Sequence, residues 1–159
     1  TKYFTTMDKL TYDRKDADQI EALSDWLDKN LSDGETAYMI PNDMLYNPDH
    51  FKYCDLPEIR LSGKLSDSFS IPGTHNFPMQ FFEAKYVFNE KFLAVRKQYF
   101  KQVKRFDMGN GTVFTVWERT AEPTREEIEY YLRAFAAEDA QYPEMFSELA
   151  EQWMDGHGL

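Results

Sequence analysis

The sequence predicts an α/β fold: one layered domain spanning residues 1–159, with helices packed on a mixed β-sheet and a C-terminal β-hairpin followed by two helices. Three observations carry that expectation. A helix, a short apolar run, a turn and a second helix follow one another within the first 54 residues, the order in which helical and strand layers alternate. Further along, Met108-Gly-Asn-Gly111 separates two apolar runs and reads as a hairpin turn. Two helix-start signals then occur in succession, at Thr124 and at Tyr142-Pro143.

Residues 1–15 are polar, with scattered aromatics, and read as a lead-in segment. Asp18 and Glu21 have capping-box spacing. Ile20, Leu23, Leu27 and Leu31 recur at helical intervals, so a helix is expected over about 17–32, with Gly34 as its left-handed exit. Thr36 to Ile40 is an apolar run closed by Pro41 and reads as a buried strand. Asn47-Pro48 has the form of an N-cap with proline at the first helical position, opening a short helix to about Cys54. Pro57 to Leu61 alternates polar and apolar residues as a short strand would.

The stretch Ser68–Glu90 holds two prolines, a glycine, a histidine and five of the thirteen phenylalanines. Pro and Gly favour a solvated loop, but Phe77, Phe81 and Phe82 call for burial. An ordered loop pinned to the domain by its aromatics is expected, leading into a strand over 84–88. A helix is expected over about 93–101, then strands over 103–107 and 112–118. In the second of these, Val113, Thr115 and Trp117 share one face and Phe114 and Val116 the other, as in a strand covered on both sides. The Thr124 capping box opens a helix bearing Ile128, Tyr131, Leu132 and Phe135. The last helix carries Phe146, Leu149, Ala150 and Trp153, and Asp155–Leu159 is expected to fray.

Composition bounds the function. A 42% hydrophobic and 16% aromatic chain of 159 residues can build a core. Its net charge of -10 opposes nucleic acid, whose binding gains from cations that displace phosphate counterions. The basic run Arg96–Arg105 reads as a solvated face, with a local anion patch as the other reading. The lone cysteine, Cys54, excludes an internal disulfide and any multi-cysteine metal site. No run approaches the roughly 18 apolar residues of a membrane span, although a chain that opens on Thr reads as a piece of something longer.

No catalytic constellation stands out. Cys54 lies four residues after His50, a spacing that could pair thiol and imidazole, but a buried structural cysteine accounts for it as well. His50, His75 and His157 are far apart, and Asp43, His50 and His75 could meet only at a sheet edge. No metal or cofactor is expected. The hairpin Gly109-Asn-Gly111 lacks the helix of a phosphate loop. One binding set remains: Tyr38, Asn42, Asp43, Tyr46, Asn47, His75, Asn76 and Phe77 combine aromatic faces with amide and carboxylate groups. That mixture suits stacking on a sugar ring while bonding its hydroxyls, and turn residues with core aromatics would give the same pattern.

Three segments carry a family likeness: Ala37-Tyr-Met-Ile-Pro-Asn-Asp-Met-Leu-Tyr-Asn-Pro48, then Leu56-Pro57, then Pro72-Gly-Thr-His-Asn-Phe-Pro-Met-Gln-Phe-Phe-Glu-Ala-Lys-Tyr-Val87. Together they resemble the C-terminal soluble extracytoplasmic domain of bacterial dolichyl-phosphate-mannose mannosyltransferase-like membrane glycosyltransferases of the GT-C type. The likeness continues through Gly109–Phe114 and Pro123–Tyr131 to Tyr142-Pro143. It implies a parent enzyme with many membrane helices that moves sugar from a polyprenyl-phosphate donor to an extracytoplasmic acceptor. The catalytic carboxylate of that family lies between N-terminal membrane helices and has no counterpart here, so no catalytic residue is assigned. The resemblance implies a non-catalytic accessory domain at the extracytoplasmic face of the cell membrane. Its partners would be the membrane-embedded part of the same polypeptide and a cell-envelope glycan or acceptor. Two other readings stand beside it: a stand-alone carbohydrate-binding module, or a small-molecule transferase with a site near Asn42, Asp43 and His75.

Overall fold

A computed structural model describes residues 3–5, 11–40, 46–52, 54, 61–67, 79–89, 95–138 and 142–159. The chain is α/β. Five strands form one mixed sheet: β3 (Ala37–Ile40), β4 (Leu65–Asp67), β5 (Tyr86–Asn89), β6 (Phe100–Asp107) and β7 (Val113–Arg119), in the order β4-β3-β5-β7-β6. β3 runs parallel to both β4 and β5, whereas β7 is antiparallel to β5 and to β6. A separate two-stranded ribbon pairs β1 (Tyr3–Thr5) with β2 (Thr11–Asp13), inside the stretch expected to be a simple lead-in.

The helices form a layer on each face of the sheet. α1 (Ala17–Asn30) and α2 (Pro48–Lys52) cover one side, where Ile20, Leu23, Leu27 and Phe51 pack on Ala37, Met39, Phe88, Phe114 and Val116. α3 (Met79–Glu83), α4 (Arg125–Glu138) and α5 (Tyr142–Gly156) cover the other, where Phe81, Phe82, Ile128, Tyr131, Ala150 and Met154 meet Tyr38, Ile40, Val87 and Phe100. β3 and β5 are buried at every position, as strands covered on both faces must be. Phe51 is the hub of the first layer, with ring centroids 5.6 Å from Phe88, 6.0 Å from Phe114 and 6.4 Å from Tyr46. Ser24 ties α1 to α2 by donating to the carbonyls of Ile20 and Phe51, at 2.9 and 3.0 Å.

Helix starts follow the chemistry of short polar side chains. The Asn47 Oδ1 accepts from the amides of Asp49 and His50 at 3.1 and 3.3 Å, and the Thr124 hydroxyl accepts from Glu127 at 3.2 Å. α1 differs from expectation. Its N-cap is Asp16 rather than Asp18, and the Asp16 carbonyl takes the amides of Gln19 and Ile20 at 3.1 and 3.0 Å. The Asp16 carboxylate is not free to cap, because other partners hold it. Gly34, in the turn to β3, has φ +82°, which only a residue without a Cβ adopts at little cost.

Four further expectations are corrected. The helix over 93–101 does not form from its described residues: 97–99 are a turn, and Phe100 already pairs with Arg119 as the first residue of β6. Tyr99 and Phe100 are apolar in either reading, and strand pairing decides. The loop before β5 does not lead directly into the strand but ends in the five-residue helix α3; Phe81 and Phe82 are buried there as the anchors were expected to be, while Phe77 lies outside the described residues. In α5 the inward face is Ala150 and Met154, and Leu149 points to solvent. The tail does not fray, since Leu159 donates to the Met154 carbonyl at 2.9 Å and His157 to that of Trp153 at 3.2 Å. β4 was not foreseen, and the strand expected over 57–61 falls on residues outside the description except for Leu61. The side chains of Phe135 and Phe146 are outside it too.

Phe51→Ala removes the hub of the first layer and should cost about 3–5 kcal/mol in urea unfolding. Leu149→Ala, on the solvent face of α5, should stay within about 0.5 kcal/mol of the parent.

Candidate functional site

β3 and β5 both end at the edge of the sheet where the β6–β7 turn also lies, because Asn89 pairs with Thr115 near the start of β7. In open α/β sheets the carboxyl ends of parallel strands are the usual place for a ligand. At this edge four separate pieces of chain bring polar side chains together: the segment before α1, the residue Tyr46, the short helix α2 and the hairpin turn.

The centre of the cluster is Asp16. Arg14 donates to it in a fork, Nε to Oδ1 and Nη2 to Oδ2, each at 2.8 Å. The Tyr46 hydroxyl donates to Oδ2 as well. Asn110 Nδ2 in turn donates to the Tyr46 oxygen at 2.9 Å, and Asn110 Oδ1 accepts from the Thr112 amide at 3.1 Å, which fixes the turn. Arg14 completes the set: its Nη1 lies 3.3 Å from His50 Nδ1, and its guanidinium sits 5.0 Å above the Tyr46 ring. Only 3% of the Arg14 side chain and 9% of the Asp16 side chain reach solvent.

Burial alone would push the Asp16 carboxyl up. The hydrogen bonds from Arg14 and Tyr46, with the Arg14 charge, outweigh it and hold Asp16 below the usual carboxylate range. The same burial and the adjacent carboxylate push the Tyr46 phenol up to about 12, so it stays a donor at neutral pH. A carboxylate with three internal donors and a phenol held protonated make neither a general base nor a nucleophile. The arrangement acts as a clasp between the N-terminal arm, α2 and the hairpin.

The residues proposed from the sequence are distributed differently. Tyr46 joins this clasp, buried in the α1–α2 layer. Tyr38 is on the other face of the sheet, edge-on to Phe81 at 5.5 Å. Each is only 2% exposed, so neither presents a ring face to solvent. Asn47 spends its side chain on the start of α2. Asn42, Asp43, His75, Asn76 and Phe77 lie outside the described residues. Arg14, Asp16 and Asn110 were not foreseen, although the Arg14-x-Asp16 spacing just before a helix was the available signal. Cys54 donates its thiol to the Phe51 carbonyl at 3.4 Å and is buried. It lies beyond the end of α2, so it does not share that helix with His50. Among the described residues no group of three potential ligands could hold a metal ion, and no helix is long and apolar enough to cross a membrane.

Comparison with protein-family models finds no match, and comparisons with curated proteins and with solved structures likewise find none.

Asp16→Asn leaves Arg14 as a buried charge without its counterion and should destabilise the fold by about 3–5 kcal/mol. The pH dependence has a definite sign. A carboxyl held below its unfolded value of about 3.9 adds stability above that pH and loses it as the pH falls through the folded value. The urea midpoint should therefore drop on acidification below about pH 4, and Asp16→Asn should flatten that part of the curve.

Proposed function

We propose that the chain is a non-catalytic, soluble accessory domain of a membrane-embedded glycosyltransferase that carries sugar from a polyprenyl-phosphate donor to an extracytoplasmic acceptor. The observation that carries this reading is where the polar groups described at the carboxyl edge are spent. Asp16, Arg14, Tyr46 and Asn110 bond one another and hold the fold, at the place where an α/β enzyme would direct them at a substrate.

A second support is the position of the family likeness. Its described parts are Ala37–Ile40, Tyr46–Pro48, Met79–Val87, Gly109–Phe114, Pro123–Tyr131 and Tyr142-Pro143, which supply β3, Tyr46 and Asn110 of the clasp, α3, the start of β5, the hairpin and the starts of α4 and α5. A likeness carried on frame positions speaks for shared architecture, and the chemistry of such a protein lies elsewhere in the polypeptide. In this reading the domain stands on the extracytoplasmic face, beside the membrane-embedded part of the same polypeptide, and shapes how an acceptor or cell-envelope glycan reaches it.

Incubated with a polyprenyl-phosphate sugar and an acceptor, the purified chain should transfer no sugar, while the full-length polypeptide should. Transfer by this chain alone would sink the proposal, as would a full open reading frame without membrane helices.

A further inference from the structure

The other edge of the sheet is open. A cleft of about 690 Å³ lies there, at the amino-terminal ends of β3 and β5 and the carboxyl-terminal end of β7. Its size falls in the range of about 300–1,000 Å³ usual for small-ligand sites.

One wall is aromatic. The rings of Trp153 and His157 stack at 3.8 Å and 24°, and the buried Phe82 backs the indole at 5.8 Å. The indole N–H of Trp153 donates to Glu83 Oε1 at 3.3 Å and so orients that carboxylate at the rim. The rest of the lining mixes small residues with charged ones, and its cations arrive already paired. Lys85 donates to Glu35 at 2.9 Å and to the Asn30 carbonyl at 3.2 Å. Arg119 donates to both oxygens of the fully buried Glu127, at 2.8 and 2.9 Å, and to the Phe81 carbonyl at 3.3 Å, with its guanidinium 4.6 Å above Phe100. Glu122 and Thr120 add exposed oxygens.

This lining discriminates between ligand classes. An anion would face Glu83 and Glu122 across the cleft, while Lys85 and Arg119 are already paired with Glu35 and Glu127. A purely apolar molecule would strip water from these groups and return no hydrogen bonds. A protonated amine donates only, so it could engage Glu83 and Glu122 but would offer no acceptor to the Thr120 hydroxyl proton or to Arg119 Nε, which has no hydrogen-bond partner. Hydroxyl groups donate and accept alike, and the C–H face of a pyranose ring packs on an aromatic surface. We propose that this cleft is a carbohydrate-binding site that takes one or two neutral sugar rings against the Trp153–His157 wall, with Glu83 and Glu122 accepting from their hydroxyls. The inference goes beyond the membrane-enzyme reading and stands on the cleft alone.

The test is a titration of the 159-residue chain with glucose, mannose, maltose and N-acetylglucosamine dimer, followed by NMR at the tryptophan indole N–H groups. The Trp153 signal should shift and saturate with at least one sugar, at a dissociation constant of about 1 mM. Trp117, whose indole donates to Asn89 at 3.1 Å, and Trp26 in α1 should stay in place. Glu122→Gln alters an exposed group and should keep the urea midpoint while weakening binding roughly three- to tenfold. Trp153→Ala should abolish it. No saturable Trp153 shift with any of these sugars overturns the proposal. So does saturation by cadaverine alone, which would reduce the cleft to an acidic rim, and so does an unchanged affinity in Glu122→Gln.

Discussion

The Asp16 carboxylate is the constraint around which one end of the molecule is assembled. Taking an ion pair out of water costs several kcal/mol per ion, and the pair's own attraction recovers that only with good geometry and further hydrogen bonds. Asp16 has both. It receives a forked guanidinium and a phenol, and the phenol is in turn held by an amide from the hairpin. The direction of its proton affinity follows: burial raises it, and the donors more than reverse the effect. Each partner belongs to a different element, so loss of one bond loosens the arm before α1, α2 and the β6–β7 turn together.

The opposite face solves a similar problem with different parts. Arg119 and Glu127 form its buried pair, with Glu127 fully enclosed and Arg119 lying over Phe100. Here burial prevails: it pushes the Glu127 carboxyl up against the pull of Arg119. The sign is the reverse of that at Asp16, so ionising Glu127 as pH rises through its raised value works against the fold. Around these pairs the core is mostly edge-to-face rings. Phe51, Phe88 and Phe114 interlock on one side, and Phe81, Phe82 and Tyr131 on the other. One edge of the sheet is thus tied shut by polar bonds and the other is left with room.

Much of this frame is legible in the sequence because it rests on local chemistry. The apolar run Ala37–Ile40, the spacing of Ile20, Leu23 and Leu27, and the caps Asn47 and Thr124 each declare an element without reference to the rest of the chain. What depends on distant pairing is not legible. β4 is three residues long and exists through its parallel contact with β3. Tyr99 and Phe100 fit a helix or a strand equally until Arg119 is placed opposite. Tyr38 and Tyr46 look like neighbours in a binding set, yet the alternation of β3 turns Tyr38 to one face while Tyr46 packs on the other. Only the Arg14–Asp16 half of the clasp is local in the chain; nothing local joins Asp16 to Tyr46 or Asn110. The cleft likewise gathers residues from the turn before β3, from α3 and the turn into β5, from the end of β7 and from α5, which only the sheet order brings together.

The clasp also sets a clock. Thirty residues separate Asp16 from Tyr46, and 64 more separate Tyr46 from Asn110. Contacts that close loops of this length form late, because chain entropy is spent before they return anything. On a ribosome, Asp16 and Arg14 emerge well before the hairpin that completes their network, and until then both remain hydrated, with the N-terminal arm held only by its own helix. Among the described strands, the last two to be made are therefore joined by the turn that holds Tyr46 and, through it, Asp16.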